Sequence, residues 1–318
     1  MLHLKSLIFN LLCRNLFSGE ASAKSMSETK RESGKMSVVE KVAELAMQLG
    51  QRHLAQYGAT RSRHDFTQRQ LMSCLILRAY LKTTYRGLLD LLQASPSLRE
   101  RMGLSEKLPH FTTLQKFSTR SEVLAIAQKL VAEIGRQAGN QAPEVVAAMD
   151  ATGLSRTTVS DYFCSRRGRR FRRWVKVGVV VLAGSLMPVA MAVDLKPTHD
   201  YVQARTLLAQ AQAVSQPTKL YADAGYDAEW IHVQCREQWG VDSVIPAIRR
   251  RADGVIGGQW RAQMTPEYLQ KQGYTQRWKV ESFFSALKRT MGSTLSARRP
   301  DQMAVEAALK VLAYALRR

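Results

Sequence analysis

Three carboxylates stand at positions from which acids can act together on one substrate. Asp150 and Asp223 each follow a short apolar run typical of a buried strand, and small residues come directly after both. Carboxylates at the ends of such strands lie at the rim of a sheet, where binding sites form. Glu281 lies in a segment with helical periodicity and would complete a three-acid cluster. Three close carboxylates repel one another unless cations lie between them.

Such a cluster predicts a site for hard divalent cations. Oxygen ligands without paired His or Cys residues select Mg²⁺ or Mn²⁺. Two such ions about 4 Å apart can activate a water or a 3′-hydroxyl and stabilise the leaving oxygen of a phosphodiester. We therefore predict that Asp150, Asp223 and Glu281 are catalytic residues that hold two metal ions.

The helix predicted around Glu281 has two different faces. At about 100° per residue from Tyr274, the polar side chains share one narrow stripe and the apolar ones lie opposite. The stripe contains Tyr274, Arg277, Glu281 and Lys288. A solvated face with an Arg277–Glu281 pair four residues apart would explain the same charges without a catalytic role.

These residues resemble the signature of the DDE transposases of bacterial insertion sequences. The resemblance is carried by the pattern Tyr274-x2-Arg277-x3-Glu281-x6-Lys288, by MDATGL at Asp150, by LKPTHD, and by YADAGYD at Asp223. It covers residues 67–318 in order and type. It implies an RNase H-like fold, DNA transposition by cleavage and strand transfer, and a metal-binding triad of the three acids. It also implies that Tyr274, Arg277 and Lys288 hold the transposon end.

The spacing of the acids departs from part of this family. Only 57 residues separate Asp223 from Glu281, which leaves no space for the large β-rich insertion of some relatives. Whether the DNA ends are freed through a hairpin intermediate is therefore open. Two other functions also stay open: a metal-dependent DNA nuclease of the same fold, and an inactive DNA-binding derivative. The complete set of acids with Tyr, Arg and Lys counts against the inactive derivative.

The charge of the chain predicts a polyanionic partner. There are 47 Lys and Arg against 26 Asp and Glu, a net charge of +21, and residues 1–140 and 141–318 contribute +10 and +11. A positive field over the whole chain favours nucleic acid. The segment 166–176 interleaves seven basic residues with two aromatic rings, and a second basic cluster follows a predicted strand. The DNA-binding candidates in these segments are Arg169, Arg170, Arg172, Arg173, Arg249 and Arg250.

Cysteine and hydropathy patterns exclude other classes. The four cysteines lie far apart without a C-x-x-C pair, which argues against a disulfide framework or a zinc site. Residues 177–193 are uncharged but short, and they contain Gly184 and Pro188, so we predict two buried strands joined by a tight turn and no membrane span. Together with the resemblance, this predicts a bacterial cytoplasmic, nucleoid-associated protein. Double-stranded DNA is the expected partner, as transposon ends and target, bound by a homodimer.

The order of predicted elements indicates an α/β fold: an RNase H-like mixed sheet flanked by helices, preceded by an all-α N-terminal domain. Thr67 with Gln70 and Thr112 with Gln115 have the spacing of capping boxes that start helices. We predict three parts: a disordered leader or mis-assigned start at 1–35, a helical DNA-binding or dimerisation domain at 36–140, and the catalytic domain with C-terminal helices at 141–318.

Other polar residues receive structural roles. Asp200 precedes a helical pattern and is predicted to be its N-cap. Asp194 and Asp227 fit strand-end and helix-start positions, and His199 and His232 are predicted to be structural.

Overall fold

The computed structural model describes residues 36–59, 61, 63–139, 146–156, 174–196, 198–250 and 252–318. The predicted leader and the arginines of the basic segment, Arg169, Arg170, Arg172 and Arg173, lie outside the described residues. Residues 38–318 form one compact unit.

Helices occupy the chain up to residue 139. They are α1 (Val38–His53), α2 (Gln68–Leu81), α3 (Tyr85–Ala94), α4 (Pro96–Arg101), α5 (Phe111–Ser118) and α6 (Glu122–Gly139).

The capping box at Thr67 is confirmed. The Gln70 N–H donates to Thr67 Oγ1 at 3.3 Å, and the Thr67 N–H donates to Gln70 Oε1 at 2.8 Å. The helix start predicted at Thr112 is wrong, because α5 begins after His110, whose ring Nδ1 accepts the Thr112 N–H. A histidine ring supplies the acceptor there, and histidine is not among the residues that usually cap helices.

A six-stranded mixed sheet follows. Its strands are β1 (Val146–Arg156), β2 (Trp174–Leu182), β3 (Met187–Asp194), β4 (Lys219–Ala222), β5 (Asp242–Val244) and β6 (Thr294–Leu295). The order is β3-β2-β1-β4-β5, with β6 beside the end of β1. The first three strands are antiparallel, whereas β4 and β5 run parallel to β1. The predicted fold class, a mixed sheet preceded by a helical region, is therefore confirmed.

Helices connect and cover the later strands. They are α7 (Asp200–Gln212), α8 (Glu229–Val233, continued by a π-helical turn at Gln234–Trp239), α9 (Pro266–Lys271), α10 (Trp278–Met291) and α11 (Pro300–Arg317). Parallel strands need such crossovers because a hairpin can join only antiparallel neighbours.

The apolar segment 177–193 forms the predicted hairpin. Strands β2 and β3 are almost entirely buried and are joined by a turn at 183–186 in which Leu186 has a φ of 55°. Among the described helices, none combines the length and the apolar character needed to span a bilayer.

The helices and the sheet share one hydrophobic core. Helix α11 is buried along most of its length and contacts α2, α6 and the sheet. Helix α6 lies close against β3, because a Cβ on Gly135 would come within 2.5 Å of the Pro188 carbonyl oxygen. The division of the chain into two domains at residue 140 stays a prediction.

Candidate active site beside strand β1

Asp150 and Asp223 are brought together by the parallel register of β1 and β4. Met149 pairs with Ala222, the last residue of β4, so the two aspartates follow side by side. Beyond this point β1 has no partner on that side until β6 pairs with Ser155. The strand end predicted at Asp150 is wrong, because β1 continues to Arg156, whereas Asp223 directly follows β4 as predicted. The two aspartates lie beside the gap that is left where β4 ends. Asp150 Oδ1 accepts the Ala151 N–H at 2.7 Å, and Asp223 Oδ1 accepts the Gly225 N–H at 2.9 Å.

Burial makes this gap unfavourable for negative charge. Burial raises the pKa of Asp150 to about 6, against the hydrogen bond from Ala151, and the neighbouring Asp223 raises it further. The pKa of Asp223 is also raised, first by burial and then by Asp200. Both groups are therefore stabilised by a nearby cation.

Arg277 places one cation at the gap. Its Nη2 donates to Glu281 Oε1, four residues later, and its Nη1 lies 3.9 Å from Asp150 Oδ2. The ion pair predicted from helical spacing is therefore present, and Arg277 links Glu281 to Asp150. Among the described residues, no three His, Cys, Asp or Glu side chains lie close enough to hold a metal ion. The catalytic and metal-binding roles of the three acids stay predictions.

Tyr274 lies outside the helix that carries Glu281. Residues Tyr274–Arg277 form a 3₁₀ turn, and α10 begins at Trp278, so the continuous helical stripe assumed from Tyr274 is wrong. The Tyr274 hydroxyl donates to the Ala222 carbonyl at 3.2 Å, which ties the turn to the end of β4. Burial raises the pKa of Tyr274 to about 12. Its hydroxyl is a neutral hydrogen-bond donor at neutral pH.

The other basic candidates differ in their surroundings. Lys288 lies on α10 two turns after Glu281 and is partly exposed. Arg249 is exposed, whereas Arg250 donates to the Asp227 carbonyl at 2.6 Å. The DNA contacts of all three stay predictions.

Asp227 is a buried structural acid rather than an open ligand. Its side chain is fully buried and accepts two hydrogen bonds from the guanidinium of Arg261, which ties the segment after β5 to the start of α8. It does not cap α8, whose N-cap is Ala228. His232 is buried with Nδ1 2.8 Å from Ser243 Oγ, in line with its predicted structural role.

Sequence reasoning missed Asp200 as a member of the site. The N-cap of α7 is His199, and Asp200 is the first residue of the helix, so its predicted N-cap role is wrong. A Cβ on Gly225 would come within 2.8 Å of Asp200 Oδ2 and 3.0 Å of Asp223 Oδ1. The two carboxylates therefore lie close together, and the glycine makes room for both.

Lys176 holds Asp200 in this position. Its Nζ lies 2.6 Å from Asp200 Oδ1 and donates to the Thr198 carbonyl, and the residue is only 4% exposed. The signal in the sequence was a lysine near the start of an otherwise apolar strand, because a buried ammonium group needs an acidic partner. Asp200, the acid in LKPTHD, is that partner.

Tyr226 is a buried tyrosine near the three aspartates. The residue is fully buried, and its OH finds no hydrogen-bond partner among the described residues. Burial raises its pKa, and Asp200, Asp150 and Asp223 raise it further, which places the ring near all three.

The donor set fits a hard divalent cation. Asp150 and Asp223 offer carboxylate oxygens that repel one another, whereas Asp200 is already paired with Lys176, and the space at Gly225 is one that a Cβ would fill. Oxygen-rich sites of this kind favour Mg²⁺ or Mn²⁺ over softer metals.

Comparison with known proteins finds similarity to transposases. Residues 141–316 match the family model described as "Transposase DDE domain". Among solved structures, the chain is similar to a piggyBac transposase in a synaptic complex with hairpin DNA, at 10% identity and a TM-score of 0.40. That match covers 96% of this chain and 75% of the other. No curated protein sequence matches the chain.

Lys176 and Asp200 are expected to be strongly coupled. Lys176→Met should lower the free energy of unfolding by about 2–4 kcal/mol, because it leaves Asp200 beside two other acids. Adding Asp200→Asn should recover part of this loss. Urea denaturation of the two single variants and the double variant measures the coupling. Lys107→Met, which removes the exposed pair with Asp65, is the control and should cost less than about 1 kcal/mol. Additive single effects would contradict the coupling.

The raised pKa of Asp150 predicts a pH dependence of stability. A carboxyl group with a higher pKa in the folded chain stabilises the fold below its unfolded pKa, and this contribution is lost as pH rises through the folded value. For Asp150 the loss is centred on the folded pKa of about 6. Without metal, Asp150→Asn should therefore raise the free energy of unfolding by about 1–2 kcal/mol at about pH 7.5.

Denaturation at two pH values tests this expectation, and most of the gain should disappear near about pH 4. Asp242→Asn, which removes an exposed carboxylate paired with Arg236, is the control and should give no gain at the higher pH. An equal gain from Asp150→Asn at both pH values would refute the assignment.

Proposed function

The chain belongs to the family of transposase DDE domains, and we propose that it binds the ends of its own insertion sequence and catalyses metal-dependent DNA cleavage and strand transfer. The observation that carries the proposal is the position of Asp150 beside Asp223, directly after the last pair between β1 and β4. Arg277 and Glu281 lie beside this pair in the matched domain. The products would be a freed transposon end and a new joint with target DNA.

Divalent metal ions are generally used by DDE transposases, and the proposed ligands here are Asp150, Asp223 and Glu281. A pair of Mg²⁺ or Mn²⁺ ions would supply an activated water or 3′-hydroxyl and stabilise the leaving oxygen of the phosphodiester. Lys176 neutralises Asp200, so the acidic pair beside it is left with the charge that attracts a cation.

Arg277 is proposed to hold a DNA phosphate beside the scissile bond. Its guanidinium is about one-quarter exposed, and only Nη2 donates to Glu281. The remaining N–H groups can form charge-assisted hydrogen bonds to a phosphate. The hydroxyl of Tyr274 fixes the turn that contains Arg277 to the end of β4. Lys288 would add a point charge further along α10.

The basic candidates are proposed to bind DNA outside the acidic gap. The proposed phosphate contacts come from Arg169, Arg170, Arg172, Arg173, Arg249 and Arg250. The hydrogen bond from Arg250 to the Asp227 carbonyl would fix the position of the Arg250 side chain. We further propose action as a homodimer on paired transposon ends in the bacterial cytoplasm, at the nucleoid.

Cleavage of the gene's own flanking DNA tests the proposed function. We expect purified protein with Mg²⁺ to cut at defined ends and to join them to a target plasmid. Asp150→Asn, Asp223→Asn and Glu281→Gln should each reduce cleavage at least about 100-fold while DNA binding survives. The control Asp242→Asn should cleave normally. Cleavage without joining would indicate a nuclease, and binding without cleavage an inactive derivative.

Arg277 variants distinguish a phosphate contact from a salt bridge that steadies Glu281. Arg277→Ala should weaken end binding or cleavage by about ten- to a hundredfold, the cost of one charge-assisted phosphate contact. Arg277→Lys should recover only part, because lysine lacks the planar fork. A gel shift with end DNA beside a Mg²⁺ titration of cleavage measures both effects. A change confined to the Mg²⁺ titration would assign Arg277 to Glu281 alone.

A further inference from the structure

A second polar pocket lies away from the acidic gap. It has a volume of about 370 Å³ and is formed by α2, α3 and α5 on one side and by α11 with the segment 296–299 on the other. Its polar lining residues include three arginines, Arg78, Arg298 and Arg299, and the amide side chains of Gln115 and Gln302. The pocket therefore joins the helical part of the chain to the end of the matched domain.

Arg78 lines this pocket and has no acidic side chain as a partner among the described residues. Its guanidinium carbon lies 4.2 Å from the centre of the Tyr85 ring. Its Nε is buried and makes no hydrogen bond to any described residue. No acidic side chain among the described residues forms a salt bridge with it. A buried donor left without an acceptor is unfavourable, and an anion that accepts a hydrogen bond from it would remove this cost.

Glu306, which lines the pocket, and the neighbouring Asp301 already accept hydrogen bonds. Glu306 accepts the N–H groups of Ser296 at 3.0 Å and Ala297 at 2.8 Å, which fixes the segment 296–299. Asp301 accepts from Arg299 at 2.9 Å. Neither carboxylate is therefore bonded to Arg78.

Two further lysines lie near Arg78 or near each other. Burial lowers the pKa of Lys310 against the effect of Glu306, and Lys82 and Arg78 lower it further. Lys82 and Arg78 therefore each repel the Lys310 ammonium group, and an anion bound to Arg78 would reduce its part of this repulsion.

We propose that this pocket binds a phosphate of the DNA backbone, with Arg78 as its central ligand and Arg298 at its rim. Guanidinium, hydroxyl and amide donors are the groups that bind phosphate oxygens in protein–DNA complexes. The proposal rests on the proposed function, because it assigns the phosphate to the same DNA that reaches the acidic gap.

The chain itself connects the two sites. Helix α10 runs from near Glu281 to Met291, and β6 then leads directly into the segment 296–299. At about 1.5 Å per residue, Glu281 and Met291 lie about 15 Å apart along this helix. The segment 296–299 begins one short strand beyond the end of the helix.

Salt-dependent binding of a fluorescent end duplex tests the pocket. Arg78→Gln should weaken binding by about ten- to a hundredfold and reduce the log–log salt slope by about 0.9, the value for one lost phosphate contact. Arg78→Lys should be milder. The control Arg136→Gln removes an arginine of α6 that pairs with Glu133, and it should leave the slope unchanged. An unchanged slope in folded Arg78→Gln overturns the proposal.

A second variant covers the case in which Arg78→Gln does not fold. Arg298 is exposed, so Arg298→Gln should fold and should also reduce the salt slope. If Arg298→Gln binds DNA with the slope of the unmodified protein, the proposal is overturned.

Inorganic phosphate separates a DNA phosphate from a free anion. The unmodified protein is melted in sodium phosphate and in sodium chloride of equal ionic strength. A phosphate-specific rise in melting temperature that Arg298→Gln abolishes, with DNA binding unaffected, identifies a small-anion site and overturns the DNA assignment.

Failure of the pocket and failure of the proposed function give different results. Cleavage by the unmodified protein with binding independent of Arg78 and Arg298 rejects the pocket alone. Arg78-dependent binding to DNA without cleavage of its ends rejects the proposed function alone.

Discussion

Carboxylates from β1, β4 and α7 meet where β1 loses its strand partner, and burial there disfavours their negative charge. The raised pKa values of Asp150 and Asp223 report this directly. Two cations with different exposure compensate this negative charge. Lys176 is buried inside the sheet and bound to Asp200, whereas Arg277 is partly exposed and reaches Asp150 and Glu281 from the turn before α10. A buried cation is a fixed part of the structure, whereas an exposed one can exchange partners when metal or phosphate arrives.

The rest of the fold keeps these groups in register. The parallel pairing of β1 with β4 sets the two aspartates side by side, and the Tyr274 hydroxyl binds the end of β4 to the turn that carries Arg277. Asp227 and Arg261 fix the segment after β5 in the same way. Helix α11 fills the space between α2, α6 and the sheet, so the helical part and the matched domain cannot pack independently of each other.

Positive charge is spread over the whole chain, which suits a long polyanion as a partner. The net charge of +21 is shared by both halves of the chain, and the described arginines lie both at the acidic gap and at the pocket around Arg78. Arg277 at the gap is held by acids, whereas Arg78 has no acidic partner among the described residues. Arg277 therefore balances the acids at the gap, and Arg78 is available to bind phosphate.

Local patterns determined much of this protein from its sequence. The apolar run before Asp223 predicted the end of β4, the segment 177–193 predicted a hairpin, and Thr67 with Gln70 predicted a cap, because each depends on near neighbours in the chain. The strand end predicted at Asp150 was wrong, because pairing with β2 continues β1 to Arg156. The partner of Lys176 was decided by tertiary structure, because Asp200 lies 24 residues further on and reaches the lysine only after β3 and α7 pack together. The helix through Tyr274 was predicted too long because the hydroxyl bond to Ala222, 52 residues earlier, draws that turn toward β4. Periodicity describes a segment on its own, whereas the balance of charge at the gap depends on which distant side chains the packed sheet brings together.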